Sequence, residues 1–195
     1  MQLPERAATL EGTRVRLEPI DQAGLEELTP ALWREDVFAG GFGGGVAAFR
    51  NHDSFAEWFD GYRPSGDESR TYLVRFDGRA VGTSSFYNAD YRRESVVIGY
   101  TAYSPEVWGT TVNPEAKRAM LSAAFDGGAH RVVFEVDNLN DRSRAAVTKL
   151  GAHLDGILRE DRPRADGSKR STVVFSILEQ EWPEVRAGLD ARVGD

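Results

Sequence analysis

The segment 95–124 constrains the fold more than any other part of the chain. Residues 95–102 form a strand-like run, and a turn of small residues follows at 109–111. Asn113 is then a good N-cap, and Pro114 suits the first helical position, where a missing N–H costs nothing. The helix has an apolar face at helical spacing, formed by Ala116, Ala119, Met120, Ala123 and Ala124. The segment therefore predicts a strand, a tight turn and a helix in immediate succession.

The start of this helix is a candidate phosphate site. The first turn of a helix leaves backbone N–H groups unpaired and carries the positive end of the helix dipole. The Gly-Thr-Thr turn adds its own amides just ahead, which favours a nucleotide or a coenzyme pyrophosphate. The competing interpretation is a capped helix that binds nothing. Neither a Gly-Lys-Ser/Thr loop nor a Gly-x-Gly-x-x-Gly turn opens the helix, which excludes the two commonest phosphate loops.

Several segments resemble the GNAT N-acetyltransferases in order and spacing. Residues 106–111 resemble the Gln/Arg-x-x-Gly-x-Gly/Ala loop with which that family binds acetyl-CoA. The longer string Trp-Gly-Thr-x-x-Asn-x-Glu-Ala-Lys is similar to the RimJ/RimL-like branch, the ribosomal-protein N-terminal acetyltransferases. Residues 10–19 resemble the opening strand of that branch, and residues 140–143 with 149–151 resemble its Asn-x-x-Ser…Lys-x-Gly-Phe segment. The resemblance runs from about Leu10 to Trp182, nearly the whole chain.

The resemblance implies an α+β architecture, the GNAT fold, in one domain spanning residues 1–195. Its sheet is expected to be mixed and mostly antiparallel, with six to seven strands flanked by helices and a splayed central strand pair that binds the coenzyme. Local patterns agree with this order. Residues 14–17 alternate ahead of a proline, which is typical of an edge strand, and residues 77–78 are a hairpin turn signal. The glycine-rich stretch 39–45 is expected to be a mobile loop.

The same resemblance assigns the coenzyme contacts, with acetyl-CoA as the co-substrate. The backbone at the end of the central strand would pair with the pantetheine arm, amides of the loop would bind the pyrophosphate, and an asparagine would reach the coenzyme arm. The residues so assigned are Thr101, Ala102, Tyr103, Trp108, Gly109, Thr110, Thr111, Asn113 and Asn140. Thr111 stands where the family has Gly or Ala, so a positive φ there would strain the loop. Asn140 is also an ordinary N-cap residue.

Acetyl transfer to an amine needs a proton for the leaving thiolate and removal of a proton from the amine. The resemblance implies that Ser143 protonates the thiolate, whereas many other GNAT enzymes use a tyrosine at the position of Val147. The base of the branch falls nearest Glu160, with Asp161 and Glu94 as further candidates. The first two would otherwise be a solvated acidic pair. Deprotonation through a water chain, with no dedicated base, is a further interpretation.

The amino-acid composition limits which partners and cofactors the protein is expected to bind. The net charge of −7 disfavours a nucleic-acid binder, which needs Lys and Arg to neutralise phosphates, and it suits a cationic amine as acceptor. The chain has no cysteine, which argues against a thiol acyl-enzyme and fits a cytoplasmic location. The three histidines are isolated in sequence, so no metal is expected. No apolar run is long enough to span a membrane, and a homodimer is left open.

Two functions of different classes follow. The first is an N-acetyltransferase that moves an acetyl group from acetyl-CoA to a primary amine, on a protein N-terminus or a small molecule, by direct transfer in a ternary complex. The second is a non-catalytic module of the same fold that binds an acyl-CoA or a partner protein. Two departures from the family pattern keep the non-catalytic function open. One is Thr111, and the other is Val97, where several relatives have a glutamate. A nucleotide-binding protein is a third interpretation, with no known phosphate motif to support it.

Overall fold

A single sheet of eight strands runs through the part of the protein that the computed structural model describes, residues 1–164 and 166–194. The strands are β1 (Leu10–Glu11), β2 (Val15–Pro19), β3 (Arg70–Phe76), β4 (Arg79–Asp90), β5 (Ser95–Tyr103), β6 (Arg131–Asp137), β7 (His153–Pro163) and β8 (Lys169–Leu178). Their order across the open sheet is β1-β2-β3-β4-β5-β6-β8-β7. The predicted architecture is confirmed, with one strand beyond the expected six to seven.

The first strands depart from the sequence-based expectation. Leu10 and Glu11 pair antiparallel with Leu17 and Arg16, so the short β1 covers the outer side of β2. The prediction of an edge strand at residues 14–17 is therefore wrong. Two residues between turn signals are too short a run for hydrophobic periodicity to reveal.

Helices cover both faces of the sheet. They are α1 (Gln22–Leu32), α2 (Glu35–Ala39), α3 (Val46–Arg50), α4 (Phe55–Tyr62), α5 (Val112–Asp126), α6 (Asp141–Lys149) and α7 (Trp182–Val193). The apolar faces of α5 and α7 share one core cluster with Ile98 and Val132, whereas α1, α2 and α4 share a second cluster with Leu73 and Ala102. Within the described residues, every helix is too short or too polar to cross a membrane.

The pairing of β5 with β6 stops partway along both strands. This is the one parallel pair in the sheet as described, and its register covers only Ser95–Val97 opposite Arg131–Val133. Beyond that point β5 continues to Tyr103 and β6 to Asp137 without pairing to each other. The predicted splayed strand pair is thereby confirmed.

A bulge in β5 accompanies the separation. Thr83 of β4 pairs with Ala102 and Ser85 pairs with Gly99, so two residues of β5 oppose one residue of β4. One of the two, Tyr100, has a φ of 51°, which is uncommon for a residue with a side chain. A bulge bends its strand and increases the local twist, so it turns the end of β5 away from the plane shared with β6.

The glycine-rich stretch 39–45 is a packed turn, and its predicted mobility stays a prediction. It forms a short 3₁₀ turn at Phe42–Gly44 between α2 and α3. The ring of Phe42 is 5% exposed and lies 5.4 Å from that of Trp58 between centroids. Gly43 has a φ of 60°, and a Cβ there would overlap the Trp58 ring. Aromatic packing thus fixes the stretch, and its glycines permit the close approach.

The start of α5 is held against the first strands by a buried carboxylate. Glu115 is 2% exposed, and its Oε2 accepts hydrogen bonds from the amides of Arg14 (2.8 Å) and Val15 (3.0 Å). Its Oε1 accepts from the hydroxyl of Thr111 at 3.2 Å. Hydrogen bonds to a charged acceptor are worth more than neutral ones, so Glu115 anchors the helix start that faces the separated strands.

Candidate active site

A cavity of about 300 Å³ lies where β5 and β6 separate. Its wall is built from the ends of both strands, the loop at 107–110, the starts of α5 and α6, and the glycine segment 40–42. This volume is at the lower end of the range for small-molecule sites. Of the predicted site residues, the wall includes Thr101, Ala102, Tyr103, Trp108, Gly109, Thr110, Asn113, Asn140 and Ser143.

The loop ahead of α5 adopts a conformation that its sequence permits. Gly109 has a φ of 77°, and a Cβ there would meet no atom within 4 Å. Thr111 has a φ of −75°, so its branched side chain causes no strain. The helix begins at Val112 with Thr111 at the N-cap, because the amide of Glu115 donates to the Thr111 carbonyl at 2.9 Å. The prediction of Asn113 as the N-cap is therefore wrong.

The backbone amides of the loop that lack a hydrogen-bond acceptor are not the set that was predicted. The amide of Trp108 donates to the carbonyl of Pro105 (3.1 Å), and that of Thr110 donates to the carbonyl of Val107 (3.3 Å). The amides of Gly109, Thr111 and Asn113 donate to no acceptor among the described residues. These three N–H groups lie at the positive end of α5, where a phosphate is best bound. Gly109 and Asn113 line the cavity, whereas the predicted site residue Thr111 does not.

One aromatic and one cationic side chain flank this loop. The indole of Trp108 donates to the carbonyl of Tyr103 at 2.8 Å, which fixes the ring beside the end of β5. The guanidinium of Arg142, on α6, lies 4.0 Å from the centroid of that ring. Burial lowers the pKa of Arg142, although the group stays charged at any physiological pH. Arg142 therefore adds a positive charge next to the free amides.

The first turn of α6 brings two predicted residues to the cavity. The Oδ1 of Asn140 accepts from the amide of Ser143 at 2.9 Å, so Asn140 is the N-cap. The hydroxyl of Ser143 has no hydrogen-bond partner among the described residues, and the side chain lines the cavity. Val147, one turn further on, is buried in the core.

A carboxylate that the sequence analysis missed lies on the wall of the cavity. Glu135 of β6 accepts at its Oε2 from the hydroxyl of Tyr87 (3.3 Å) and from Arg162 (3.0 Å). Its Oε1 accepts from no described donor. Burial raises the pKa of Tyr87, so its phenol keeps the proton that it donates. The alternation Val132, Phe134, Val136 was the available signal, because it places the residues between them on the opposite face.

The carboxylates predicted from sequence lie elsewhere. Glu160 is exposed on β7, the outermost strand, and its amide donates to the hydroxyl of Ser171. Asp161 accepts from Thr172 at 3.0 Å, and Glu94 precedes the opposite end of β5, near the N-terminal amine. None of the three lines the cavity. Across residues 1–164 and 166–194, no group of three His, Cys, Asp or Glu side chains is placed to hold a metal ion.

A buried lysine completes the wall. Lys117 of α5 is 4% exposed, and its Nζ donates to the hydroxyls of Thr101 (2.7 Å) and Ser84 (2.9 Å). No carboxylate of the described residues pairs with it, and burial lowers its pKa to about 7. The string that carries the family resemblance already contains this lysine, but a lysine on a helix is usually solvent-exposed, which is why its burial was not predicted.

The comparisons with known proteins agree with this geometry. The acetyltransferase (GNAT) domain matches residues 14–153. A protein from T. thermophilus assigned as an acetyltransferase is 33% identical, with 99% of each chain covered and a TM-score of 0.78. A GCN5-related N-acetyltransferase from Brucella melitensis is 28% identical over 97% of this chain and 86% of that chain, with a TM-score of 0.86.

A more distant likeness concerns the fold alone. RimJ from Mycobacterium smegmatis, solved in complex with CoA-disulfide, is 19% identical, covers 99% of this chain and 98% of its own, and has a TM-score of 0.78. No curated protein sequence matches the chain. The chain belongs to the GNAT acetyltransferase family, whose fold it has and whose members transfer acetyl groups from acetyl-CoA.

The buried lysine gives stability a specific pH dependence. The pKa of Lys117 falls from 10.5 to about 7 on folding, so between these values the unfolded chain binds more protons. Stability conferred by the parent side chain therefore rises with pH in this window, by up to about 1.4 kcal/mol per pH unit. Urea unfolding is measured at pH 7, 8 and 9. The free energy of unfolding of the parent, relative to that of Lys117→Met, should rise with pH by that slope.

The difference between parent and variant removes the contribution of other titrating groups. Lys169→Met, at an exposed position, is the matched control and should follow the parent at every pH. Parallel stability curves for the parent and Lys117→Met would contradict a lowered pKa for the buried amine.

Proposed function

We propose that the protein transfers an acetyl group from acetyl-CoA to a primary amine, directly and within a ternary complex. The observation that carries the proposal is one continuous cavity that joins the free amides of Gly109 and Asn113 to the side chains of Ser143 and Glu135. One part suits the phosphates of the coenzyme, and the other holds a hydroxyl and a carboxylate that can move protons. The non-catalytic alternative has no comparable observation in its favour.

The separated strands explain how the coenzyme arm would bind. Past Val97 the inner edge of β5 has backbone groups that are not paired to β6, and the residues concerned include Thr101, Ala102 and Tyr103. A pantetheine arm carries two amides, so it can pair with such an edge as a further strand would. Trp108 and Arg142 would border the pyrophosphate, with Asn140 between the loop and the catalytic groups.

The transfer needs the acceptor nitrogen to lose two protons and the thiolate to gain one, and we assign these movements to two side chains. An ammonium acceptor has no lone pair, so Glu135, or a water that it holds, would remove the first proton. The freed amine nitrogen attacks the thioester carbon, the C–N bond forms and the C–S bond breaks. Ser143 would give its proton to the departing thiolate and take the second proton of the nitrogen, which leaves a neutral amide and a neutral serine. Glu160 and a water chain are the competing routes for the first proton.

The branch of the family is part of the proposal. RimJ of M. smegmatis has the same fold and holds CoA-disulfide in its structure, and the Trp-Gly-Thr-x-x-Asn-x-Glu-Ala-Lys string is similar to that branch. We therefore assign the chain to the RimJ/RimL-like group. A first experiment incubates the protein with acetyl-CoA and a panel of amines and titrates the CoA thiol. Thiol release that needs an amine supports transfer, whereas binding of acetyl-CoA without release supports the non-catalytic module.

Replacing Gly109 by aspartate should weaken acetyl-CoA binding strongly. The new carboxylate would lie beside the free amides and repel the pyrophosphate. Gly109→Asn is the control, because asparagine has the same shape, tolerates a positive φ and adds no charge. Calorimetric titration should give a dissociation constant at least about tenfold weaker for aspartate than for asparagine, a difference of about 1.4 kcal/mol. Equal affinities of the two variants would place the pyrophosphate elsewhere.

Ser143→Ala should lower kcat at least about tenfold and leave the affinity for acetyl-CoA nearly unchanged, because it removes a proton donor and no binding group. Ser143→Thr, which keeps a hydroxyl, should recover part of the rate. Steady-state kinetics with a saturating acceptor measures both. If the alanine variant turns over at the parent rate, Ser143 takes no part in the transfer.

The two candidate bases can be separated by their pH profiles. Glu135→Gln should lower kcat/KM and flatten the acid limb of its pH dependence, since the amide cannot accept the proton. Glu160→Gln, on the exposed edge strand, should match the parent throughout. The opposite pattern would assign the base to Glu160. Two unchanged profiles would support deprotonation through water.

A further inference from the structure

A second guanidinium in the cavity forms no ion pair within the part of the chain that the structure describes. Arg170 lies at the start of β8 and lines the cavity together with Tyr62 and Tyr100. Its Nε is buried and has no hydrogen-bond partner among the described residues, and its Nη2 donates to the backbone carbonyl of Glu135 over a long distance of 3.4 Å. No carboxylate of residues 1–164 and 166–194 forms an ion pair with it.

The neighbouring arginines behave differently. Arg162, opposite Arg170 in the β7–β8 register, pairs with Glu135 and Asp161 at 3.0 Å each. Arg164 pairs with Asp137 at 2.8 Å. Glu135, Asp161 and Asp137 are thus engaged by other cations, and the Arg170 guanidinium keeps N–H donors that have no acceptor among the described residues. A guanidinium has five N–H donors in a planar fork that fits a carboxylate or a phosphate.

Arg170 lies at the end of the cavity that holds Glu135, where the acceptor amine would bind. Its contact with the Glu135 backbone puts it beside the proposed base, and its charge acts on the phenol of Tyr62, whose pKa burial raises. The other cavity guanidinium without a carboxylate partner among the described residues, that of Arg142, is stacked on Trp108 at the loop end. The two guanidinium groups therefore have separate places, one at the loop end and one at the end that holds Glu135.

We propose that Arg170 binds an anionic group of the acceptor, so that the acceptor is a primary amine that also carries a carboxylate or a phosphate. This rests on the proposed acetyl transfer and names the substrate class for it. Glu135 would take the ammonium end, and Arg170 would take the anionic end. The rings of Tyr62 and Tyr100, whose centroids are 4.9 Å apart, line the cavity and would contact the apolar part of the acceptor.

The test uses acceptors in pairs, in which one member carries an anion and the other does not. Phenylalanine is compared with phenylalaninamide, and O-phosphoethanolamine with ethanolamine, so the two arms separate a carboxylate from a phosphate. In the parent, kcat/KM should favour the anionic member of at least one pair by about tenfold or more, through KM, because a charge-assisted pair is lost with the neutral member. Arg170→Gln should remove most of that preference.

Two variants serve as controls. Arg79→Gln makes the same change in net charge at an exposed position away from the cavity and should keep the preference of the parent. Arg170→Lys keeps the charge without the fork and should retain only part of it. A parent with no preference for anionic acceptors, or a preference that survives in Arg170→Gln, overturns the inference.

A binding measurement keeps this outcome distinct from the proposed reaction. Calorimetry with the same four amines is run on the protein saturated with CoA, where no transfer occurs. Anion-dependent binding that Arg170→Gln abolishes supports the inference even if no acceptor is acetylated, a result that would instead remove the proposed transfer. Turnover of neutral amines without anion-dependent binding overturns the role of Arg170 and leaves the transfer intact.

Discussion

The end of pairing between β5 and β6 is the constraint on which the site depends. Three residues of each strand hold the two halves of the sheet together, and past Val97 and Val133 the strands diverge. An unpaired strand edge inside a sheet costs hydrogen bonds unless another group supplies them. The bulge that includes Tyr100 bends β5 at this point, so the opening is built into the strand.

The elements around the opening hold its walls in place. The start of α5 directs three free amides at it, and Glu115 holds this helix start against β2. The aromatic cluster around Trp58 fixes the glycine segment that forms another part of the wall. Lys117 reaches from α5 to the hydroxyl of Thr101, so the helix and the bulged strand are joined directly. A rigid frame of this kind keeps donors and proton carriers in place before the substrates bind.

Much of this frame could be predicted from local sequence. The hairpin at residues 77–78, the apolar stripe of α5 and the cap at Asn140 each depend on a few adjacent residues. Several segments in the right order then indicated the fold. Glu135 and Arg170 could not be found in this way, because strand register decides which side chains face the cavity. Glu160 shows the same limit, since a register irregularity in β7 precedes Arg162.

The central claim is that acetyl-CoA binds between the separated strands with its pyrophosphate at the start of α5. A residue-resolved NMR titration with acetyl-CoA tests this most directly. The account predicts large shifts for the amides of Gly109, Thr111 and Asn113, with slower hydrogen exchange along the part of β5 past Val97, and no change at the distant Asp77-Gly78 turn. Saturable binding that leaves the Gly109 and Thr111 amides unmoved would contradict the account.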